Sequence, residues 1–183
     1  SKPLPEVDGR FDVIVIDPPW QYDSRANDIT HRGRNPYPDM PTDAICELPV
    51  PKHAETNCVV WLLTTNAFMR DTFRILDAWG FKEKTILTWE KDRMATGDWL
   101  RGKSEHCILA VQGRPIVTLS NQTTVLHGPM REHSRKPDEF YQLVESLCPG
   151  SKLEMFARRT LPGWSAWGME VASDVQIAMK EAA

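Results

Sequence analysis

One short stretch sets most of the limits on this chain. Phe11, Asp12, Val13, Ile14, Val15 and Ile16 are followed at once by Asp17-Pro18-Pro19-Trp20. A β-branched run between turn residues predicts a buried strand of a parallel sheet. Two consecutive prolines have no N–H to give to a ladder, so the sheet has to end there and leave Asp17 and Trp20 at the carboxyl end of the strand. A second apolar run, 58–63, predicts another buried strand. Between the two, only 42–48 reads as a short helix, so 21–40 is a long loop, and long loops inside compact domains are usually functional.

The rest of the chain alternates in the same way. Phe68, Thr72, Phe73, Leu76 and Trp79 fall at helical spacing within 67–79, with Gly80 as a C-terminal cap. Strands are predicted at 85–89 and 106–111, separated by a polar loop over 90–105, with a shorter extended piece at 123–126 and a loop at 128–136. Pro137 opens a helix that places Phe140, Leu143, Val144 and Leu147 on one face. Pro149-Gly150 ends it before a last core strand, 153–156. Val175, Ala178, Met179 and Ala182 form the apolar face of a terminal helix after Ser173. The pattern predicts one α/β domain over 1–183, with a mixed, mostly parallel sheet. In such sheets ligands sit beyond the carboxyl ends of the strands.

Composition narrows the classes. The 183 residues are enough for a real core, and 41% hydrophobic with 26% charged residues excludes disorder for the chain as a whole. No apolar run reaches membrane-spanning length and the N-terminus lacks a signal-like apolar core, so a cytoplasmic protein with no membrane partner is expected. Cys46, Cys58, Cys107 and Cys148 form no Cys-x-x-Cys pair, and three of them lie in apolar runs, so buried free thiols are expected and neither structural metal nor disulfides. The net charge is −3, yet 21–36, 91–103 and 131–136 hold ten Lys and Arg against five acids. A local +5 on an acidic body fits a polyanion held at one place and released, although loops are polar in any case.

Two motifs compete for the chemistry. Gly97 to Ser104 matches G-x-x-x-x-G-K-[ST], but a phosphate loop must leave a strand directly and open a helix. Here a strand-like run, 106–111, follows, and Trp99 and Leu100 would crowd the loop. Asp17-Pro18-Pro19-Trp20 is the better candidate. The 6-amino nitrogen of adenine is a poor nucleophile because its lone pair is delocalised into the ring, so alkylating it requires acceptors for the amine protons. Asp17 and the Pro18 carbonyl supply two, and Trp20 offers a face on which an extruded base can stack, worth about 1–3 kcal/mol. A charge-assisted bond to Asp17 contributes about 1.5–3 kcal/mol, whereas in-line alignment removes roughly 7–11 kcal/mol of barrier. Positioning therefore dominates, and no metal or covalent intermediate is required. A proline-stiffened strand end is the plainer reading of the same tetrapeptide.

With these residues in place the chain resembles the MT-A70-like family of N6-adenine methyltransferases. The resemblance runs from Phe11 to about Val171. Its anchors are Asp17-Pro18-Pro19-Trp20, Tyr37 to Met40, Gly97 to Leu100 with Glu105 to Cys107, His133 to Glu139, Leu153 to Arg158, Pro162 to Trp164, and Trp167-Gly168. It implies a Rossmann-like methyltransferase fold with helices on both faces, S-adenosylmethionine as cofactor, and a catalytic motif that precedes the cofactor strand. It also implies cofactor contacts from Asp17, Ser134, Lys136, Phe156, Arg158 and Glu170, with Lys136 on the methionine carboxylate and Arg158 on the ribose. Tyr37, Trp99 and Glu105, together with Trp20, would line the target adenosine. Lys136 as a solvated first-turn lysine, Tyr37 and Trp99 as loop packing, and His133 as a polar loop residue are the bland alternatives.

Two departures stand out. Met169 replaces the asparagine that in family members often follows Trp-Gly and contacts cofactor hydroxyls, so Glu170 or a main-chain group must substitute. With only 16 residues before Asp17, the family's upstream adenine-binding segment is expected to be absent or shortened. The resulting expectation is an S-adenosylmethionine-dependent adenine-N6 methyltransferase acting on nucleic acid, DNA over RNA. Its adenine would be flipped out or unpaired, and the small loop charge suggests a homo- or heterodimer or an unpaired substrate. The alternative is a methyltransferase-fold nucleic-acid-binding or scaffold subunit with weak or no catalysis.

Overall fold

A computed structural model describes residues 9–22, 39–118, 121–129 and 136–168. Strand β1 (Phe11–Ile16) is where the first apolar run predicts it, and its side chains alternate between two cores. Ile14 and Ile16 enter one, Val13 and Val15 the other, and each is at most 1% exposed. A strand buried on both faces has no polar side to show, which is why its sequence reads as a continuous apolar run rather than an alternation. Burying such side chains contributes about 1.5–3 kcal/mol each.

In chain order there follow α1 (Thr42–Cys46), α2 (Val50–His53), β2 (Ala54–Thr64), a 3-10 turn (Asn66–Phe68), α3 (Met69–Trp79), β3 (Lys82–Lys91), β4 (Ser104–Gln112), β5 (Val125–Gly128), α4 (Asp138–Leu147), β6 (Lys152–Met155) and β7 (Trp164–Trp167). Ile45 of α1 and Ile75, Leu76 and Trp79 of α3 cover the Ile14 face. Phe140, Leu143 and Val144 of α4 cover the opposite face, against Val13, Val15 and Trp61. Helices therefore lie on both faces. Gly80 ends α3 in the left-handed region (φ 78°), and the N–H of Phe81 closes the turn on the Leu76 carbonyl at 2.9 Å.

The seven described strands run in the order β5-β3-β4-β2-β1-β6-β7. β1 is parallel to β2 and β6, β6 to β7, and β3 to β5, whereas β4 is antiparallel to both its neighbours. The sheet is thus mixed and mostly parallel. The reversal of β4 matters for function, because it puts the first residues of β4 at the same edge as the last residues of β2 and β3. Thr64 pairs with His106 and Trp89 with Glu105.

Several elements differ from the sequence expectation. The β3–β4 connection shrinks to 92–103, since Glu90 pairs with Ser104 and the N–H of Lys91 reaches the Lys103 carbonyl at 2.8 Å. The helix expected at 67–79 opens as a 3-10 turn, and β7 and α2, four residues each, carry too few residues to show a period. The phosphate-loop match ends on a strand, because Ser104 opens β4 and no helix follows. Its glycine spacing serves the hairpin instead: a Cβ on Gly97 would run into the Leu100 carbonyl oxygen. The terminal helix expected after Ser173 lies outside the described residues. Among the described residues no helix is long and apolar enough to cross a membrane. Cys58, Cys107 and Cys148 are buried free thiols, with burial pushing the Cys58 thiol up to about 12.

Candidate active site

β1 sits where the order of the sheet reverses. The chain leaves it to reach β2 on one side, while β6, on the other side, leads away to β7. The crevice beyond their carboxyl ends is the topological switch point at which doubly wound sheets bind ligands. Ile16 pairs with Met155 in the last rung, so Asp17 and Phe156 are the first residues past the sheet on neighbouring strands. Phe156 is turned at φ 60°, a left-handed conformation that costs a non-glycine residue about 1–2 kcal/mol, and it packs edge-on against Trp167.

The two prolines shape a tight exit. The N–H of Trp20 donates to the Pro18 carbonyl at 2.9 Å and the N–H of Met40 donates to the Pro19 carbonyl at 2.8 Å. The Pro18 oxygen thus already accepts one hydrogen bond and keeps its second lone pair. Trp20 departs from its expected place as an open platform for a base. It is 5% exposed, its ring stacks on Phe68 at 4.9 Å, and its indole N–H donates to the Leu63 carbonyl at 3.2 Å. An indole is too large and apolar to stay in water when a hydrophobic wall and a free carbonyl are within reach, and the 3-10 turn supplies the first while β2 supplies the second.

Around Asp17 lies a set of charges that the fold draws from five elements. Lys136, just before α4, donates to Asp17 Oδ2 at 3.2 Å, and the lysine side chain is 9% exposed against 36% for the aspartate. Glu154 of β6 is the second anion near this ammonium, with Oε1 at 3.8 Å from Nζ. That same Oε1 accepts from the Tyr141 hydroxyl of α4 at 2.6 Å. On the other side, Lys91 at the end of β3 donates to Glu105 at the start of β4 at 3.0 Å. Burial pulls the Lys136 ammonium down, but the negative charges of Asp17 and Glu154 and the hydrogen bond to Asp17 outweigh it and hold the lysine above its usual range. Burial pushes the Glu105 carboxyl up; Lys91 opposes that, and Asp17 reinforces it. Burial likewise raises the Tyr141 hydroxyl, so it stays protonated and donates.

Chemically the arrangement offers a half-buried carboxylate beside a buried ammonium, which matches the ammonium and carboxylate of a zwitterionic amino-acid group. A small apolar pocket opens next to them, with Leu63, Trp89, Glu105, Lys136 and Phe140 in its wall. Among the described residues no group of three His, Cys, Asp or Glu could hold a metal ion.

The fold therefore brings together Asp17, Pro18, Pro19, Glu105, Lys136 and Phe156, with Arg158 half-buried in the turn after β6. It sets Trp99 apart: the residue is 104% exposed in the 92–103 hairpin loop, at φ 64°. Tyr37, His133, Ser134, Met169 and Glu170 lie outside the described residues. Lys91, Tyr141 and Glu154 were missed. Lys91 reads as one more loop charge, and Tyr141 and Glu154 read as ordinary core-helix and strand residues until the sheet places them beside Lys136.

With that geometry in view, the MT-A70 family profile matches residues 11–170. The chain belongs to the MT-A70 family. It is similar to the N(6)-adenosine-methyltransferase MT-A70-like of Arabidopsis thaliana, 32% identical over 89% of this chain and 24% of that protein. It is similar also to the human N(6)-adenosine-methyltransferase catalytic subunit METTL3, 28% identical over 89% of this chain and 28% of that protein. The type II methyltransferase M.MunI of a Mycoplasma species is 26% identical over 88% of this chain and 78% of its own length. The chain spans about a quarter of the length of its plant relatives in the MT-A70 family. The seven-stranded mixed sheet fits a Rossmann-like methyltransferase fold of that family.

Proposed function

We propose that this MT-A70 chain transfers a methyl group from S-adenosylmethionine to the 6-amino group of adenine in nucleic acid. The observation that carries the reading is the Asp17–Lys136 pair at the β1/β6 switch point, 3.2 Å apart and buried on the lysine side. When bound, S-adenosylmethionine supplies an electrophilic methyl group on a sulfonium. Lys136 holds the carboxylate of its amino-acid end, and Asp17, the more exposed partner, exchanges the lysine for incoming donors. Phe156 and Arg158 flank the same crevice from β6 and its turn, and Ser134 and Glu170 complete the cofactor contacts in this reading.

Asp17 and the second lone pair of the Pro18 carbonyl accept the two protons of the adenine amine and orient its nitrogen. Pro18 and Pro19 keep competing donors away from that edge. Glu105, fixed by Lys91, stands on the opposite wall, where a carboxyl with a raised proton affinity can share a proton with a base edge. In this reading Tyr37 and Trp99 are further contacts to the substrate, and Trp20 anchors the motif rather than stacking the base. An adenine in a duplex must be flipped out at a cost of a few kcal/mol, so an unpaired target or a second subunit goes with this small basic surface. We favour DNA over RNA, in the cytoplasm; a type II methyltransferase, M.MunI, is among the relatives, beside the adenosine-methyltransferases.

The test is nucleoside mass spectrometry after incubation with S-adenosylmethionine and mixed DNA and RNA oligonucleotides. N6-methyladenine is expected in the DNA, and Asp17→Asn is expected to lower its formation by about 10- to 150-fold with the fold retained. Methylation confined to the RNA would reverse the polymer assignment. Full turnover by the asparagine variant would remove Asp17 from the mechanism.

A further inference from the structure

The oxygen of Glu154 that faces Lys136 is not hydrogen-bonded to it. Oε1 lies 3.8 Å from Nζ, beyond hydrogen-bond reach, and 2.6 Å from the Tyr141 hydroxyl. Glu154 is 4% exposed and Tyr141 6%, so neither side chain can turn to water for a substitute partner. Left alone, a buried carboxylate and a buried ammonium this close would collapse into a direct bond, because the interior screens them weakly. The tyrosine prevents that by tethering the carboxylate: Oε1 keeps a second lone pair, but its 2.6 Å bond to the α4 hydroxyl fixes how near it comes to Nζ. Its own position is held by Arg159, whose guanidinium lies over the Tyr141 ring at 5.0 Å and donates to Asp138 at 2.7 Å, and by edge-on packing against Phe140 and Trp164.

We propose that Tyr141 is a positioning residue: by donating to Glu154 Oε1 it holds that carboxylate back from Lys136, so the ammonium stays charged but directs its hydrogens toward Asp17 and the amino-acid end of the ligand. This inference rests on the S-adenosylmethionine reading above and adds to it a device for keeping the lysine available. Burial of the phenol also keeps its proton in place at neutral pH, so the donor is permanent.

Calorimetry with two ligands separates this role from a merely structural one. S-adenosylmethionine carries the amino-acid end that Lys136 would hold, and 5′-methylthioadenosine lacks it. Tyr141→Phe keeps the ring and loses only the donor, and is expected to weaken S-adenosylmethionine by about five- to tenfold, the worth of one hydrogen bond, while leaving methylthioadenosine unchanged. Adding Glu154→Gln to that variant removes the competing charge and is expected to restore S-adenosylmethionine binding to within about twofold. Glu154→Gln alone, which keeps Tyr141 in place should the phenylalanine variant fold poorly, is expected to bind S-adenosylmethionine as tightly as the unaltered chain.

Equal weakening of both ligands in Tyr141→Phe, no weakening of either, or no recovery in the double variant would overturn the proposal. So would a large loss in Glu154→Gln alone, which would make the glutamate a holder of the lysine rather than a competitor for it. Absence of S-adenosylmethionine binding by the unaltered chain would overturn the cofactor reading itself, and this inference with it.

Discussion

The Trp20 ring lies against Phe68 and its N–H on the Leu63 carbonyl, so truncating it opens a hole in the core as well as altering the motif. Trp20→Ala is expected to lose about 3–5 kcal/mol of stability, whereas Trp20→Phe keeps the stack, gives up one hydrogen bond and loses nearer 1 kcal/mol. Denaturant melts of the two variants, read beside their methylation, separate the anchor from the chemistry. If the alanine variant melted like the parent, the buried contacts described for the indole would carry no weight. At this scale the sequence was informative about residues whose chemistry is local. Asp17 and the two prolines declare themselves at the end of an apolar run, and Lys136 stands in front of a helix-opening proline. Lys91 was opaque because a lysine in a polar loop is usually solvated, and only the pairing of β3 with β4 shows it buried against Glu105.

Among the elements, β4 ties the active edge together, and its direction is what an apolar run cannot reveal. Positions 106–111 read as a strand from composition alone, but nothing local says that the strand runs against its neighbours and so brings Glu105 to the carboxyl edge. His106 shows the same consequence. Its ring bonds Thr88 of β3 at 3.0 Å and Asn66 of the 3-10 turn at 2.7 Å, linking three elements through one imidazole. Burial lowers its proton affinity below the usual histidine value. A base that is neutral when folded and protonates more readily when unfolded stabilises the fold above the unfolded pKa, about 6.5, and that contribution fades as the pH drops through it. Urea midpoints are therefore expected to fall between pH 7.5 and 5.5, and His106→Gln is expected to flatten that fall. An unaltered slope in the glutamine variant would assign the pH dependence to other groups.

For the molecule as a whole, the charge pattern of the sequence needs correcting by the fold. Ten basic residues fall in the three segments, but Lys91 and Lys136 are themselves buried in ion pairs, leaving eight against five acids, a local +3. Binding of a single-stranded oligonucleotide is expected to weaken with salt at a log–log slope of about −2, not the −3.5 that all five net charges would give. A steeper slope in filter-binding titrations would mean that the paired lysines reach phosphate after all. The architecture itself was largely legible, since buried strands and amphipathic helices carry their period in the chain. Strand order, the reversed strand and the Tyr141–Glu154 contact were not, because each arises from residues far apart in sequence.

Of the seven tryptophans, Trp99 alone is fully exposed, and the other six are buried or half-buried. Intrinsic fluorescence is thereby split into two populations without any engineering. Iodide in solution should strip the red-edge emission of the hairpin indole first and leave the blue-shifted emission of the interior. A polymer or protein that comes to rest on the hairpin would announce itself as protection from that quencher.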